Sequence, residues 1–244
     1  RPLHGRTVPN SWAPMTHDFV LAGDVGGTRL RVAIVGADGS VHARQVISTT
    51  QSDPKALTPV LRTALGEASM PIAGVVVGMP GPIDYSRGEI LKLPNLPAWE
   101  GHVSEEQLNE DLVFPVLLAN DADLAALGEH RYGAGLGSKD MLYVTSSTGV
   151  GAGVILGGRL LRGKYSLAEV GHTIIDRSTG DTVETLGSGT AIARLTGREA
   201  ASVVADASNG NVEALAQFTS VARDFGIGVF NAVHIFFPEI VVVG

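Results

Sequence analysis

A glycine-containing turn between two apolar runs near the start of the chain most strongly constrains its fold. Residues 21–35 read LAGDVGGTRLRVAIV, so an apolar run enters the turn and an alternating run leaves it. Adjacent glycines permit a tight turn and a close approach of backbone to a ligand. The N–H groups of such a turn and the Thr28 hydroxyl can hold phosphate oxygens, with the Asp24 carboxylate placed for a metal. An ordinary hairpin with an acidic turn would give the same local pattern.

A second turn of similar design follows about half a chain later, where residues 147–156 read STGVGAGVIL. Two such turns are expected where two related domains close on one nucleotide. The sequence has no G-x-x-x-x-G-K-[ST] motif, which excludes a P-loop. After the glycines of the second turn comes another strand and a hairpin turn, whereas a dinucleotide-binding fold requires a helix there.

Length and charge narrow the class of protein. The 244 residues suffice for one large or two ordinary domains, each with a core. The net charge of −7 without a basic stripe argues against a nucleic-acid partner. The absence of cysteine excludes disulfides and thiolate metal ligands. No apolar run reaches membrane-spanning length and no signal-peptide core is present, so we expect a cytoplasmic protein with no membrane partner.

Hydrophobic periodicity predicts alternating strands and helices. The predicted strands are Phe19–Gly23, Leu30–Gly36, Val41–Ile47, Ile72–Met79, Val113–Ala119, Met141–Thr145, Val154–Leu156 and Glu239–Val243. The predicted helices are Lys55–Ser69, Ala122 to about Tyr132, a region beginning with Ser188–Leu195, and Val212–Phe237. In the last helix we expect six core residues, namely Phe218, Val221, Phe225, Val229, Val233 and Phe236.

The two ends of the sequence differ from the pattern of the rest of the chain. Residues 1–14 are polar and aperiodic, and Met15 resembles a natural start, so we expect a disordered, non-native remnant before it. The strand predicted at Ile240–Val243 is of the buried type, yet only Gly244 follows. We therefore expect the C-terminal domain to be incomplete in this sequence.

Six motifs occur in an order that resembles the ROK family (repressors, open reading frames, kinases) of the sugar kinase, heat-shock protein and actin superfamily. They are Asp24–Thr28, Gly78–Asp84, Pro94–Trp99, Asn120–Ala122, Ser147–Gly153 and Glu169–His172. The resemblance runs from about Val20 to the end. It implies an α/β fold of duplicated ribonuclease-H-like (actin-like ATPase) domains with a cleft between them, at residues 15–119 and 120–244.

Asp121 is the residue for which chemistry and resemblance agree best. It stands between a predicted buried strand and a predicted helix, where an ionised carboxylate can take a proton from a sugar hydroxyl that attacks a γ-phosphate. The resemblance implies that Asp121 is the catalytic base. A helix cap is the alternative for the same residue, and Asn120 or Asp121 can cap while Asp121 catalyses.

The resemblance also implies the ligands of ATP and its metal. Asp24 is expected to hold Mg²⁺, directly or through water, which suits an ion that keeps several waters. The phosphates are expected to contact Gly26, Gly27 and Thr28 in the first turn, and Thr148, Gly149 and Gly151 in the second.

The expected hexose-binding residues are Asn120, Asp121, Glu169, His172 and Glu184, with Asn95 and Gly81 as weaker candidates. Outside its Glu-x-Gly-His context, His172 would be interpreted as a structural histidine. The family usually has a zinc-binding cysteine cluster after this histidine, and here there is none. We therefore predict no zinc, with the loop to Glu184 held by turns around Gly180 and by packing of Val183.

The resemblance implies an ATP-dependent sugar kinase, most simply a glucokinase. N-acetylmannosamine or fructose is the alternative substrate, since Ala168 and the shortened loop depart from the family pattern near the sugar residues. A non-catalytic, sugar-sensing repressor is the alternative from another class, but it would need a helix-turn-helix, and only a short polar stretch precedes the first predicted strand. Polyphosphate as donor, the adenine pocket and the oligomeric state stay open, with a homodimer as the candidate assembly.

Overall fold

The computed structural model describes residues 18–49, 53–93, 96–165 and 168–244. Its strands are β1 (Phe19–Val25), β2 (Arg29–Gly36), β3 (Val41–Ser48), β4 (Ile72–Met79), β5 (Ile83–Asp84), β6 (Glu89–Ile90), β7 (Val116–Asn120), β8 (Met141–Ser146), β9 (Val150–Leu156), β10 (Arg159–Leu160) and β11 (Ile240–Val243). Its helices are α1 (Leu57–Glu67), α2 (Glu105–Leu112), α3 (Asp121–Tyr132), α4 (Val183–Gly187), α5 (Gly189–Thr196), α6 (Ala200–Ser208) and α7 (Val212–Phe236). The predicted mixed α/β fold is therefore confirmed. The expected remnant at residues 1–14 and the candidate Asn95 lie outside the described residues.

The chain divides into two compact units. The first comprises the described residues within 1–78 and 95–118, and the second those within 79–94 and 119–244. The sequence-based division places 79–94 with the first domain, whereas in the structure this segment packs with the second unit. The reason is local, because Asp84 forms a β-bridge with Tyr165 and the Tyr85 hydroxyl bonds to Asp123.

The first unit is built on a sheet with the order β3-β2-β1-β4-β7. β1, β2 and β3 are antiparallel neighbours, and β4 runs parallel to β1 with Gly78 opposite Asp24. Helix α1 buries Leu57 and Leu61 completely, and the Leu61 side chain lies beside Gly23 of β1. The first glycine turn thus follows directly from a strand with a buried face.

The second unit contains a sheet with the order β10-β9-β8-β11. β8 and β9 pair antiparallel from Met141 opposite Ile155 to Ser146 opposite Val150, and β11 runs parallel to β8. Residues 147–149 join β8 to β9 and form the second glycine turn. Both predicted turns therefore connect the first antiparallel pair of a sheet.

Helix α3 packs on β9 because two glycines of that strand make space for it. A methyl group at Gly153 would lie 2.6 Å from Ala126 Cβ, and one at Gly151 would lie 3.0 Å from Ala122 Cβ. Gly151 was expected to contact phosphate, and this packing is a separate reason for a glycine there. The alanine-rich side of α3 and the glycines of β9 thus form one close helix–sheet contact.

Three helices were not predicted. α2 and α6 lie in segments without an assigned element, and α4 lies in a segment expected to be a loop. In helix α7 the core prediction is only partly right, since Val221 is buried while 37% of Phe218 is exposed. Within the part of the chain that the structure describes, no helix has the length and apolar character needed to cross a membrane.

Candidate functional site

The junction of β7 and α3 gives two neighbouring polar residues different environments. Asn120 is buried and caps α3, because its Oδ1 accepts from the Asp123 N–H at 3.1 Å and its Nδ2 donates to the Gly81 carbonyl at 3.1 Å. Asp121 is the first helical residue and is exposed, with Oδ1 accepting from the Ala122 N–H at 2.8 Å. The cap is therefore Asn120, and the Asp121 carboxylate remains accessible.

Behind this junction lies a buried pair that the sequence analysis did not single out. Asp123 is 1% exposed, and its Oδ2 accepts from the Tyr85 hydroxyl at 2.7 Å. The Tyr85 oxygen in turn accepts from the Asn120 N–H at 3.3 Å, and the Arg162 guanidinium lies 4.4 Å from the Tyr85 ring centre. Burial raises the pKa of Asp123 above its ordinary value and that of Tyr85 far above its own. The only feature of the sequence that could have indicated this pair is the position of Asp123 on the inward face of the predicted helix.

Residues Val170–His172 form a short helical turn, and Glu169 is its N-cap residue. Glu169 Oε2 is 3.8 Å from His172 Nε2, and both side chains are about half exposed. Burial raises the pKa of Glu169, which His172 opposes and the charges of Asp123 and Glu184 reinforce. These charge interactions indicate that three acidic side chains of the second unit share one region.

Glu184, on helix α4, contacts the second glycine turn. Its Oε2 accepts from the Val150 N–H at 2.9 Å, and a methyl group at Gly149 would lie only 2.3 Å from the same oxygen. A side chain at position 149 would therefore require the Glu184 carboxylate to move. The expected contact of Glu184 with a sugar stays a prediction, and its observed partner is the turn.

The second turn is also held by groups at the beginning of α5. The Thr148 carbonyl accepts from the Thr190 hydroxyl at 2.6 Å, and the Ser147 carbonyl accepts from the Gly189 N–H at 2.7 Å. Beside the turn lies a mostly apolar hollow of about 680 Å³, which the sequence did not reveal. Its lining includes Thr148, Ile192, Val204, Phe218, Phe225 and Val243.

In the first turn the predicted metal ligand already has a protein partner. Asp24 Oδ2 forms an ion pair with Arg31 Nη1 at 2.7 Å, and both side chains are about half exposed. The turn is closed by the Gly26 N–H, which donates to the Arg29 carbonyl at 2.8 Å, and by the Thr49 hydroxyl, which donates to the Gly26 carbonyl. Gly27 and Thr28 lie at the tip of this turn, between β1 and β2.

The arrangement of acidic and histidine side chains determines which metal ions the protein could bind. In the described ranges there is no group of three or more His, Cys, Asp or Glu side chains able to form a metal cage. A single carboxylate with one oxygen already paired fits Mg²⁺ that is held mostly by phosphates and water. The loop after His172 is held by a turn and by packing, since Gly180 has a positive φ, its N–H donates to the Asp176 carbonyl, and Val183 is fully buried. The predicted turns and packing of this loop are confirmed, while the absence of zinc stays a prediction.

The candidate residues are distributed between the two units. Asp24, Gly26, Gly27 and Thr28 belong to the first unit; Gly81, Asn120, Asp121, Thr148, Gly149, Gly151, Glu169, His172 and Glu184 belong to the second. Within the second unit, Tyr85 and Asp123 contact the start of α3, whereas Glu184 contacts the second turn.

Comparison with protein families gives a match to the ROK family model over residues 20–244. The chain belongs to the ROK family. Among ROK relatives, a glucokinase from Halalkalibacterium halodurans is 34% identical over 198 residues, which are 74% of this chain and 60% of that protein. An N-acetylmannosamine kinase from Shigella flexneri is 33% identical over 209 residues, covering 80% of this chain and 72% of that protein.

A solved ROK structure extends the match to the fold. The ROK family glucokinase from Streptomyces griseus, crystallised with glucose and AMPPNP, superposes with a TM-score of 0.83. It is 25% identical, and the match covers 93% of this chain and 82% of that one. This agreement shows that the ROK fold extends over nearly the whole chain, although the chain spans only 60% of the length of the glucokinase named first.

Proposed function

We propose that this protein is a sugar kinase that transfers the γ-phosphoryl group of ATP to a hydroxyl of a hexose, most simply glucose. The observation that carries the proposal is the exposed Asp121 carboxylate, which stands at the start of α3 while Asn120 takes over the capping. The glucokinase relatives and the complex of the Streptomyces griseus enzyme with glucose and AMPPNP support the substrate classes.

In the proposed reaction Asp121 accepts the proton of the attacking hydroxyl. The hexose oxygen forms a bond to the γ-phosphorus as the bond between that phosphorus and the bridging oxygen breaks, and ADP leaves with the bridging electrons. A general base of this kind contributes about 10²–10⁴-fold to the rate. Glu169 and His172 bind sugar hydroxyls, and the half-exposed Glu169 carboxylate fits that role as an acceptor.

The phosphates are proposed to bind at the two glycine turns. Gly26, Gly27 and Thr28 of the first turn offer N–H and hydroxyl donors, as do Thr148, Gly149 and Gly151 of the second. Asp24 would hold Mg²⁺ through its remaining oxygen or through water, and the bound ion would neutralise phosphate charge. The apolar hollow beside Thr148 is large enough for a nucleoside, which favours ATP over polyphosphate as the donor.

We also infer that the two units are duplicated ribonuclease-H-like domains. In support, the order β10-β9-β8-β11 repeats β3-β2-β1-β4 of the first sheet, including the parallel fourth strand. ATP as cosubstrate makes the cytoplasm the proposed location. A homodimer, the absence of zinc and the absence of nucleic-acid and membrane partners remain parts of the same hypothesis.

N-acetylmannosamine is the second candidate substrate, and the similarity to the Shigella flexneri kinase favours it. The residue that differs near the sugar motif is Ala168, which has a positive φ of 65° directly before Glu169. This strained residue directly precedes Glu169, a proposed sugar-binding residue, and is distant in sequence from Asp121. Fructose and a non-catalytic sugar sensor are the remaining alternatives.

A phosphorylation assay of the purified protein tests the proposal. Glucose, N-acetylmannosamine and fructose are each incubated with ATP or polyphosphate and Mg²⁺, and the sugar phosphate is identified by ³¹P NMR. We expect the highest kcat/KM with glucose and ATP. A protein that binds glucose in calorimetry but phosphorylates no hexose with either donor would instead be a sugar-binding module.

A further inference from the structure

We propose that Tyr85 is a positioning residue that fixes the start of helix α3, and through it the direction of the Asp121 carboxylate. The inference rests on the proposed function for its kinetic consequence but on observed contacts for its physical basis. Its hydroxyl lies between two groups of that junction, donating to Asp123 Oδ2 at 2.7 Å and accepting from the Asn120 N–H at 3.3 Å.

The two residues that Tyr85 contacts lie on either side of Asp121 in the sequence. Asn120 precedes it and Asp123 follows it by two residues, and the Asp123 N–H donates to Asn120 Oδ1. One phenol oxygen therefore ties together the backbone before Asp121 and the side chain after it. Any movement of the first turn of α3 would have to break at least one of these hydrogen bonds.

Tyr85 is itself held rigidly by the hairpin that carries it. Ile83 is fully buried, and the carboxylate of Asp84 is buried and accepts from the N–H and hydroxyl of Ser86. Asp84 is also bridged to Tyr165, so the hairpin of β5 and β6 is fastened on its outer side. The phenol ring therefore extends from a fixed base, which a positioning role requires.

The protonation states of Tyr85 and Asp123 favour a permanent hydrogen bond between them. Burial and the Asp123 carboxylate raise the pKa of the Tyr85 hydroxyl far above its ordinary value, so it retains its proton and donates at physiological pH. The Arg162 guanidinium over the ring lies close enough to lower the pKa of Asp123, opposing the effect of burial. Neither Tyr85 nor Asp123 needs to touch substrate, because both act through the helix start.

The test compares Tyr85→Phe with Tyr132→Phe, which removes a hydroxyl from the exposed C-terminal end of the same helix. Replacing Tyr85 keeps the ring and removes only the hydrogen-bonding oxygen. Since small misplacements of catalytic groups cost up to about 10²-fold in rate, we expect kcat for the hexose to fall about 10- to 100-fold. The hexose KM should change much less than kcat, and Tyr132→Phe should leave both unchanged.

Hydrogen exchange supplies a readout that does not depend on activity. In Tyr85→Phe the amides of a peptide covering 116–126 should exchange faster than in the wild type, with no change in Tyr132→Phe. An active wild type together with a Tyr85→Phe variant of unchanged kcat overturns the inference, as does unchanged exchange in this peptide. A wild type that phosphorylates no hexose overturns the proposed function instead, and the exchange experiment then still decides whether Tyr85 fixes the helix start.

Discussion

At the start of α3, the helix cap and the exposed carboxylate are two different residues, which the sequence alone does not distinguish. The pattern Asn-Asp-Ala-Asp fits a cap or a catalytic carboxylate at two adjacent positions, and only the hydrogen bonds distinguish them. Asn120 directs both side-chain polar atoms into the protein, whereas Asp121 remains exposed. The role of Asp123 could not be predicted, because its partner Tyr85 lies 38 residues earlier in the chain.

The buried Asp123 carboxylate leads to a prediction for stability. Burial raises its pKa in the folded protein, so its ionisation opposes folding as pH rises from its ordinary value through the raised one. Asp123→Asn removes that charge and keeps an oxygen that accepts from Tyr85. The free energy of unfolding of the variant, relative to that of the wild type, should therefore be higher at pH 7 than at pH 4.5. Urea unfolding of both proteins at the two pH values measures this difference. An equal difference at both pH values, as expected for the exposed control Asp111→Asn, would contradict it.

Glu169 leads to a prediction for sugar binding. Its pKa is raised by burial and by the neighbouring charges of Asp123 and Glu184, against the effect of His172. If the ionised form accepts from sugar hydroxyls, hexose affinity should increase as pH rises through this raised pKa. Glu169→Gln should weaken hexose binding, remove that pH dependence and leave nucleotide affinity nearly unchanged. Calorimetric titration with each ligand separately measures this, and weakened nucleotide binding with normal sugar binding would overturn the assignment.

At the scale of elements, the sequence predicts best those segments whose pattern is determined locally. β4 agrees with its predicted bounds, and α3 and α7 agree to within one residue, because buried runs and helical periodicity mark them. Helix α4 has only five residues, which are too few to give a periodic pattern. Its N-terminus is fixed by a capping box, in which the side chains of Thr182 and Thr185 each accept from the backbone N–H of the other residue. The hydrogen bond between the Val150 N–H and Glu184 joins this helix to the second turn, and neither sequence pattern indicates it.

The packing of α3 on β9 provides a matched pair of glycine substitutions. Gly153→Ala places a methyl group 2.6 Å from Ala126 Cβ and 2.9 Å from the Ala122 carbonyl, so we expect overpacking to cost about 1–3 kcal/mol. Gly128→Ala lies on α3 with open space around the new methyl group and should stabilise the protein by about 0.5–1 kcal/mol. Urea unfolding of both variants measures the two free energies. A neutral Gly153→Ala would mean that the helix and strand can move apart without cost.

At the scale of the whole molecule, the order of motifs carried more information than any single motif. The α/β class and the ROK family followed from six motifs in sequence order, and the family match over residues 20–244 agrees. The boundary of the units was harder to predict, since segment 79–94 joins the second unit through contacts with Asp123 and Tyr165. Which hexose is phosphorylated depends on a few atoms near Ala168 and Glu169, which neither composition nor periodicity determines.

Turnover of Asp121→Asn decides whether Asp121 is the general base. The asparagine keeps an oxygen that accepts from the Ala122 N–H, and Asn120 still caps the helix, so fold and hexose affinity should be preserved. Loss of the general base should lower kcat by about 10²–10⁴-fold, while the control Asp111→Asn retains wild-type turnover. A kcat for Asp121→Asn within a few-fold of the wild type would contradict the assignment of Asp121 as the base.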